Sequence, residues 1–440
     1  MCILLNLLRN NLLSSYFNYV CINPKVYLEM KKQESKLIQI RIAGIDRPGL
    51  THIITQVLAD FNATILDIGQ ADIHQSLTLG VLCQVGVNRA DEMLLELKKE
   101  CRLLGIKSHF QTISEFDYES WVNQQGKNRY ILTLLGRKIT ASQLAETTQI
   151  ILKQKLSIDT IKRMTGRIPL DETKSSIRAC IEFSLRGTPL NPPMMQKELM
   201  ALSTNLGVDY SLQEDNMYRR MRRLICFDMD STLIQTEVID ELAMRAGVGE
   251  EVKAITASAM RGEIDFKQSF AKRVSLLKGL DESVMIDIAQ NLPITEGLDR
   301  LMFVLKKHGY KIAILSGGFT YFGEYLQRKY DIDYVYANQL EISDGKLTGN
   351  YVGEIVDGQR KVELLREIAK KEKVDIAQTI AVGDGANDLP MLNEAGLGIA
   401  FHAKPKVKAN TEQSINTIGL DGILYFLGFK DSNLEDLGKL

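Results

Sequence analysis

Two stretches in the first half of the chain alternate apolar and polar residues in the same way. In the first, apolar residues recur at every second position in some runs and with helical spacing in others. The predicted elements, in order, are a strand over 36–43, a helix over 50–61, strands over 63–73 and 77–86, a helix over 90–104 and a strand over 107–113. This β-α-β-β-α-β order predicts a four-stranded sheet that carries two helices.

The second stretch repeats this order. Strands are predicted over 129–136, 157–166, 175–187 and 208–213, with helices over 140–154 and 192–206. Thr140 is placed to cap the first of these helices, and Pro192 opens the second, which Gly207 ends. A repeat of this length is too long for a solenoid. It indicates two tandem ferredoxin-like domains, over 36–115 and 128–214.

Three later apolar runs each end in polar residues. They are LICFD at 224–228, ILSGG at 314–318 and TIAVGD at 379–384. Short, continuously apolar runs are typical of strands buried on both faces of a parallel sheet, and the carboxyl ends of such strands meet at one crevice. The second half of the chain is therefore predicted to be an α/β domain with a Rossmann-like parallel sheet.

Length and charge bound the classes of function. At 440 residues the chain has room for about three domains. Its 54 lysines and arginines nearly balance its 55 aspartates and glutamates, for a formal net charge of −1. This balance argues against binding nucleic acid or an anionic membrane through bulk charge, and the basic run at 216–223 is too short to change that, so we interpret it as a linker.

Residues 1–35 are interpreted as an N-terminal extension without an assigned function. Arg9, Asn10 and Asn11 interrupt its apolar patches, so no run is long enough to span a bilayer, and no signal peptide is evident. Met30 is a candidate alternative start. No two cysteines are spaced as C-x-x-C, which favours reduced thiols and a cytoplasmic protein.

Two aspartates follow the first buried strand of the second half. Asp228 and Asp230 would point to the same side of an extended segment. Carboxylates this close repel each other unless a cation or a proton lies between them, and oxygen ligands favour Mg²⁺. The pair therefore predicts a magnesium site at this strand end, with an acidic turn as the alternative.

Polar residues near the other strand ends extend this prediction. The Ser316 hydroxyl and the exposed backbone N–H of Gly317 suit a phosphate oxygen. Lys361 lies near the start of a predicted helix, where cations are disfavoured, which indicates a ligand. Asp384 and Asp388 lie four residues apart in the turn after the third strand. Taken singly, ordinary turns and a solvated lysine would explain these residues.

In this order, the motif DMDSTLIQTE at 228–237, SGGF at 316–319, Lys361 and GDGANDLPML at 383–392 resemble the haloacid dehalogenase superfamily of phosphohydrolases. The resemblance covers about 222–428 and implies a helical cap at about 238–292. It implies that Asp228 is the nucleophile that forms an aspartyl-phosphate. Asp230 would protonate the leaving alcohol and then deprotonate the attacking water.

The same resemblance implies how the remaining polar residues are used. Mg²⁺ would be held by Asp228, Asp384 and the backbone carbonyl of Asp230, and Asp388 would orient these ligands. Ser316, Gly317 and Lys361 would contact the phosphoryl group.

Together with the cap segment FKQSFAKRVSLLKG at 266–279, these motifs resemble the members of the superfamily that hydrolyse O-phospho-L-serine. That resemblance implies that Glu237 binds the substrate ammonium, that Arg273 binds its carboxylate and that Asn387 lies near its phosphate. Phe266 and Met260 would line the pocket wall. Without the flanking motifs, a surface ion pair would explain Glu237 and Arg273 equally well.

Two alternatives stay open at this point. One is a related phosphatase or phosphotransferase that acts on another small phosphomonoester, such as phosphothreonine or phosphohomoserine. The other is an amino-acid-sensing regulatory protein with a vestigial catalytic domain. Turnover of a panel of phosphomonoesters would separate them.

The turn GIDRPG at 44–49 resembles that of the ACT domain, a regulatory module that commonly binds amino acids. The resemblance implies an amino-acid effector, most simply L-serine, near Asp46–Gly49. The exposed sheet edges of such domains predict a homodimer. The second unit has GRKIT in place of DRPG, so it could be a degenerate copy without a ligand. The alternative is that both units are spacers or dimerisation domains.

Overall fold

The computed structural model describes residues 35–124, 126, 128–167 and 178–434. Apart from its last residue, the N-terminal extension predicted over 1–35 lies outside this part. The chain forms two compact units, Met1–Gly126 and Lys127–Leu440. None of the helices in the described ranges has the length and apolar character needed to cross a bilayer.

The first unit has the predicted β-α-β-β-α-β order. Its elements are β1 Ser35–Ile45, α1 Leu50–Asp60, β2 Thr64–Ile73, β3 Ser76–Gly86, α2 Val87–Leu103, β4 Lys107–Ile113 and a further helix, α3 Glu115–Asn123. The antiparallel strands lie in the order β2-β3-β1-β4. Alternate residues of β1, such as Ile40, pack against Ile54 of α1 and Leu97 of α2, which gives the unit its own core.

The unit that follows has the same topology. Its elements are β5 Arg129–Gly136, α4 Ala141–Lys153, β6 Ser157–Arg163, β7 Ala179–Arg186, α5 Pro192–Leu206 and β8 Asp209–Glu214. The strand order β6-β7-β5-β8 is equivalent to that of the first unit. Thr140 caps α4 through a reciprocal pair of hydrogen bonds with Gln143, and Gly207 ends α5 in the left-handed conformation.

This second ferredoxin-like fold is continuous with the catalytic half rather than a separate body. Tyr210 of β8 pairs with Ser414, the middle residue of a strand from the end of the chain, β15 Gln413–Ile415. The buried Asp209 carboxylate accepts hydrogen bonds from the backbone N–H groups of Asn416 (2.7 Å) and Thr417 (2.9 Å). The two parts therefore share one sheet of 11 strands.

The catalytic half has the predicted parallel sheet. Its strands are β9 Leu224–Phe227, β10 Lys311–Phe319, β11 Tyr334–Ser343, β12 Lys346–Val352, β13 Thr379–Gly383, β14 Leu397–Phe401 and β15. They lie in the order β12-β11-β10-β9-β13-β14-β15, with β12 alone antiparallel to its neighbour among these strands. The short β9 lies in the middle, and all four of its residues are buried.

Helices cover both faces of this sheet and form the cap. They are α6 Met217–Arg220, the cap helices α7 Val238–Ala246, α8 Gly249–Met260, α9 Phe266–Ser275 and α10 Ser283–Gln290, and then α11 Leu298–Lys307, α12 Thr320–Tyr330, α13 Gly358–Lys371, α14 Leu389–Glu394, α15 Pro405–Lys408 and α16 Ile423–Phe426. Side chains of β9, the cap and α11 share one hydrophobic core.

The hairpin β11–β12, which the sequence pattern did not predict, is hydrogen-bonded to the cap. The N–H of Gly279 donates to the Leu347 carbonyl (2.8 Å), and the N–H of Leu347 donates to the Leu280 carbonyl (2.9 Å). Phe270 of α9 also packs edge-on against Tyr351 of β12. The cap is thus held over the carboxyl ends of the central strands by main-chain bonds as well as by apolar contacts.

Candidate active site

The central strand delivers Asp228 and Asp230 to the carboxyl edge of the sheet. β9 pairs in parallel with β10 on one side and β13 on the other, and the N–H of Asp228 donates to the Val382 carbonyl (2.9 Å). Both aspartates are buried. Since β10 ends at Ser316–Phe319 and β13 is followed by Asp384, the polar residues of three strand ends come together at one place.

Lys361 lies below this edge, and its charged amine is buried in the core. It is fully buried (0% exposed), in the first turn and a half of α13. Its Nζ donates to Asp228 Oδ1 (2.8 Å) and to Asp388 Oδ1 (2.6 Å). Burial lowers the pKa of Lys361, but the two carboxylates raise it by more, so the amine stays charged.

Three buried carboxylates surround that single lysine. Ligand oxygens of Asp228, Asp384 and Asp388 all lie within 4.8 Å of one another. Burial, followed by the charges of Asp228 and Asp388, raises the pKa of Asp384 to about 8. One ammonium cannot neutralise three carboxylates, so a divalent cation fits the charge and the oxygen chemistry of this cluster.

Asp388 is already engaged on both oxygens. Its Oδ1 accepts from Lys361, and its Oδ2 accepts from the N–H of Gly385 (2.9 Å). This leaves Asp228 and Asp384 as the carboxylates of the cluster that could bind a cation directly, with Asp388 fixing the turn. The predicted part of Asp230 in metal binding concerns its backbone carbonyl and stays a prediction.

The Asp230 carboxyl group lies in the same cavity, close to Gly318. Its Oδ1 is buried and has no hydrogen-bond partner among the described residues. A Cβ on Gly318 would lie 2.5 Å from Asp230 Oδ2, so a side chain there would collide with the carboxyl group. Burial, then the charges of Glu237 and Asp228, hold the pKa of Asp230 well above its ordinary value. Burial therefore favours the protonated form of this group.

The last residues of β10, where its pairing with β11 is irregular, lie near the aspartates. Ser316 Oγ accepts from the N–H of Gly318 (2.9 Å), and the Gly317 carbonyl accepts from the side chain of Asn338 (2.8 Å). The Asn338 Oδ1 in turn accepts from the N–H of Val356 (2.8 Å). Asn338 therefore positions Ser316 and Gly317. No local sequence pattern indicated this role of Asn338.

A cavity of about 570 Å³ lies between these strand ends and the cap. Its floor contains Asp228, Asp230, Ser316, Gly317 and Asp384. The remaining polar groups and walls come from the cap and from the turn before α14, including Glu237, Arg273, Phe266 and Asn387. The side chain of Met260, the second predicted wall residue, lies outside the described part of the chain.

Glu237 and Arg273 are ionisable groups that are partly buried in the cavity wall. Glu237 Oε1 accepts from the Ser231 hydroxyl (2.9 Å), and burial is the main cause that raises the Glu237 pKa. Burial lowers the pKa of Arg273, against the opposing charges of Glu237 and Asp240. The Arg273 Nε makes one long bond of 3.4 Å to the Ser269 carbonyl, so its guanidinium can still bind an anion.

Asn387 lies at the edge of the carboxylate cluster. Its Nδ2 lies 3.5 Å from Asp388 Oδ1, and the residue also lines the cavity. Asp240 and Lys404 line the same cavity and were not predicted. Lys404 Nζ lies 3.8 Å from Asp384 Oδ2 and so supplies a second positive charge near the cluster.

Comparison with known proteins agrees with this arrangement. The family model for haloacid dehalogenase-like hydrolases matches residues 225–393, and the model for the ACT domain matches residues 36–111. A phosphoserine phosphatase of Streptomyces coelicolor is 38% identical over 398 residues, which cover 90% of this chain and 93% of that protein.

Two crystal structures are also similar. A haloacid dehalogenase family hydrolase of Salmonella enterica serovar Typhi has a TM-score of 0.59 at 32% identity and covers 68% of this chain and 98% of its own. A probable phosphoserine phosphatase of Vibrio cholerae has a TM-score of 0.54 at 36% identity and covers 70% of this chain and 89% of its own.

Phosphatases of this superfamily generally use a divalent metal ion, and within the described residues the Asp228, Asp384 and Asp388 cluster is the group that could hold one. The length of the match to the Streptomyces protein takes in the ACT domain as well as the catalytic half. The chain therefore belongs to the phosphoserine phosphatase family of the haloacid dehalogenase-like hydrolases.

Proposed function

We propose that the protein is a Mg²⁺-dependent phosphatase that hydrolyses O-phospho-L-serine to L-serine and phosphate, the last step of L-serine biosynthesis. One observation carries the proposal. A single cavity combines a buried carboxylate held by a lysine, Asp228, with a carboxylate and a guanidinium on the cap, Glu237 and Arg273. Of the charged groups of phosphoserine, the ammonium is complementary to Glu237 and the carboxylate to Arg273, and with both bound the phosphorus faces Asp228, the group proposed to attack it.

Asp228 is the proposed nucleophile. Lys361 binds its Oδ1 and orients the carboxylate at the cavity floor. A carboxylate oxygen attacks phosphorus, the bond from phosphorus to the serine oxygen breaks, and an aspartyl-phosphate forms. Lys361, Ser316 and the N–H of Gly317 are proposed to stabilise the charge on the phosphoryl oxygens.

Asp230 is the proposed acid and base. Burial raises its pKa and so favours the protonated form, which can give its proton to the departing serine oxygen. It then accepts a proton from the water that attacks the aspartyl-phosphate, which releases phosphate and restores Asp228. Bound Mg²⁺, held by Asp228, Asp384 and the Asp230 carbonyl with Asp388 as the orienting group, would lower the repulsion between the carboxylates and the phosphate.

The test is release of phosphate from a panel of phosphomonoesters, with and without Mg²⁺. We expect kcat/KM to be highest for O-phospho-L-serine and activity to require the metal. A higher value for phosphothreonine or phosphohomoserine would favour the related phosphatase. The absence of any turnover would favour a regulatory protein with a vestigial catalytic half.

Changes to the cap charges should separate recognition from chemistry. Glu237→Gln and Arg273→Ala should each lower kcat/KM for O-phospho-L-serine by about 30-fold or more, since each leaves a desolvated substrate charge unpaired. The rate with p-nitrophenyl phosphate, which has neither charge, should change much less. Lys272→Ala removes an exposed charge from the same helix and is the matched control. Equal losses with both substrates would contradict the recognition roles.

Metal affinity should depend on pH. Asp384 must lose its proton to bind a cation, and its pKa of about 8 means that this costs more free energy as the pH falls. Calorimetric titration with Mg²⁺ should show weaker binding at about pH 6.5 than at about pH 8.5, with release of protons. Asp384→Asn should bind weakly at both values. An affinity that does not vary with pH in the unchanged protein would argue against Asp384 as a ligand.

We further propose that the ACT domain over 36–111 binds an amino acid, most simply L-serine, near Asp46–Gly49. This turn is exposed, and Gly49 has a φ of 92°, a conformation that favours glycine. Here the chain passes from β1 into the first turn of α1 with its backbone N–H groups near the surface, which suits a small polar ligand.

The homodimer is proposed to form through the free sheet edges. β2 and β6 are equivalent edge strands, and each carries two exposed isoleucines separated by a bulge: Ile65 and Ile68 on β2, Ile158 and Ile161 on β6. Exposed apolar edge strands are templates for pairing with another chain. Light scattering of the full chain should give the mass of a dimer, and Ile68→Lys with Ile161→Lys should give a monomer.

Removal of the first unit tests regulation directly. A chain that begins at residue 128 lacks the four-stranded sheet but keeps all 11 strands of the other sheet. We expect non-competitive inhibition by L-serine to disappear while competitive product inhibition remains. Should the shortened enzyme respond to L-serine as the full chain does, the ACT domain is not the regulatory site. A cut after residue 214 would be a poorer test, because it also removes β8, which pairs with β15.

A further inference from the structure

A second, larger cavity lies near the amino ends of the central parallel strands, whereas the active site lies at their carboxyl ends. Its volume is about 730 Å³. It lies where the second ferredoxin-like fold meets the catalytic half, and its walls include Arg222, Ala377 and Leu397. These residues precede or begin β9, β13 and β14, whereas the active site is at the carboxyl ends of those strands. The cavity therefore has no part in the catalytic crevice.

Arg222 contributes an unpaired charge to this wall. Its side chain is 5% exposed, and its Nη atoms donate to the carbonyls of Arg219 (3.2 Å) and Gly396 (3.3 Å). Its Nε is buried and has no hydrogen-bond partner within the part of the chain that the structure describes. In the described part of the chain, Arg222 has no carboxylate within ion-pair distance, while the neighbouring Arg219 binds Glu182 at 2.7 Å. Burial, then the charge of Arg219, lowers the pKa of Arg222 to about 10.

A buried cation without a counter-charge is costly, and proteins usually place a carboxylate beside one. Here the guanidinium borders an open cavity instead, so a ligand can supply the negative charge. A ligand with one negative charge matches the single cation better than a phosphate dianion does, because no second unpaired cation lines this wall within the described residues.

Other polar groups of the wall favour a positive charge on the same ligand. Glu214 and Glu412 lie at the rim and are exposed. We propose that this cavity is a binding site for a small zwitterion of the amino-acid class, with its carboxylate at Arg222 and its ammonium toward the two rim glutamates.

The short helix α14 connects this cavity with the active site. Asp388 directly precedes its first residue and Pro390 lines the catalytic cavity, while Leu392 and Asn393 at its other end line the second cavity. Six helical residues span about 9 Å. A ligand in the second cavity thus contacts the element that carries Asp388 without competing with the substrate.

A tryptophan in the wall reports binding in the full-length chain. The chain has one tryptophan, Trp121, so Trp121→Phe with Tyr218→Trp places a single fluorophore in the cavity. Glycine, L-serine and L-threonine are each titrated, with succinate and inorganic phosphate as anions that lack an ammonium. We expect a saturable change with at least one amino acid and weaker binding of both anions. No response to any of the three amino acids, or tighter binding of either anion, would overturn the proposal.

Two variants in this background localise the effect. Arg222→Met should lower the affinity for the responding amino acid by at least about tenfold, since it removes a buried charge partner. Arg220→Met, a matched change at an exposed arginine outside the cavity, should leave the titration unchanged. Equal affinity in Arg222→Met and its parent would overturn the site.

The exposed rim gives a test that holds even where Arg222→Met does not fold. Glu214→Gln combined with Glu412→Gln should lower the affinity for the amino acid several-fold, because its ammonium loses the negative potential at the rim. The affinity for succinate, which has no ammonium, should not fall. If the amino acid and succinate respond alike to this double change, the ammonium has no partner there and the zwitterion assignment is wrong.

Discussion

Asp228→Asn should lower turnover of O-phospho-L-serine by about four orders of magnitude or more, the size of loss expected when a covalent nucleophile is removed. An amide is a very poor nucleophile toward phosphorus. Its oxygen can still accept the hydrogen bond from Lys361, so the buried site keeps its shape. Steady-state phosphate release measures the loss, and the far-ultraviolet circular dichroism spectrum shows whether the fold is retained.

Asp230→Asn is the comparison that separates the two chemical steps. It keeps the nucleophile but lacks the group that protonates the leaving oxygen and then deprotonates the water. Overall turnover should therefore be severely reduced, and some phosphorylated enzyme should accumulate during a single turnover with labelled substrate, since hydrolysis of the intermediate has lost its base. Asp228→Asn should show none. Turnover in Asp228→Asn close to that of the unchanged enzyme would exclude the aspartyl-phosphate pathway.

The convergence of the site could be predicted from the sequence because it follows from sheet geometry. Asp228, Ser316 and Asp384 lie far apart in the chain, yet each follows a short apolar strand of one parallel sheet, and such strands end at one edge. Local spacing also predicted the two ferredoxin-like folds, since alternation and helical periodicity are properties of neighbouring residues. Neither inference needs knowledge of long-range side-chain contacts.

Other features depend on contacts that local spacing does not contain. The Asn338 side chain is hydrogen-bonded to both Gly317 and Val356. The sequence around Asn338 is that of an ordinary strand and gives no sign of these bonds. The pairing of Tyr210 with Ser414 joins segments about 200 residues apart, so the second ferredoxin-like fold could not be assigned to the catalytic sheet from its own pattern. The basic run at 216–223 likewise matched a linker, although Arg219 and Arg222 are buried.

For Lys361, the sequence predicted the kind of role but not the partners. Its place near a helix start indicated a role in binding negative charge, because the positive end of the helix disfavours a lysine there. Its two partners, Asp228 and Asp388, come from other strand ends and could not be assigned from spacing. The structure shows that the lysine already balances part of the carboxylate charge before any ligand binds.

Lys361→Met should therefore damage both stability and activity. The fully buried ammonium is replaced by an apolar side chain of similar length, which leaves Asp228 and Asp388 without their cation. Removing one partner of a buried ion pair typically costs about 3–5 kcal/mol of folding free energy. Urea denaturation should show a loss of this size, and phosphate release should fall sharply because Asp228 is no longer oriented.

The pH dependence of that loss identifies its cause. Without Lys361, the buried carboxyl groups should bind protons more tightly in the folded chain than in the unfolded one, so stability should fall as pH rises from about 6 to about 8. The double variant Lys361→Met with Asp388→Asn removes one of the stranded charges and should regain part of the stability, but not the activity. If Lys361→Met were destabilised equally at both pH values and Asp388→Asn restored nothing, the lysine would matter for packing alone. The charge balance proposed for the site would then have to come from Lys404, which lies 3.8 Å from Asp384 Oδ2.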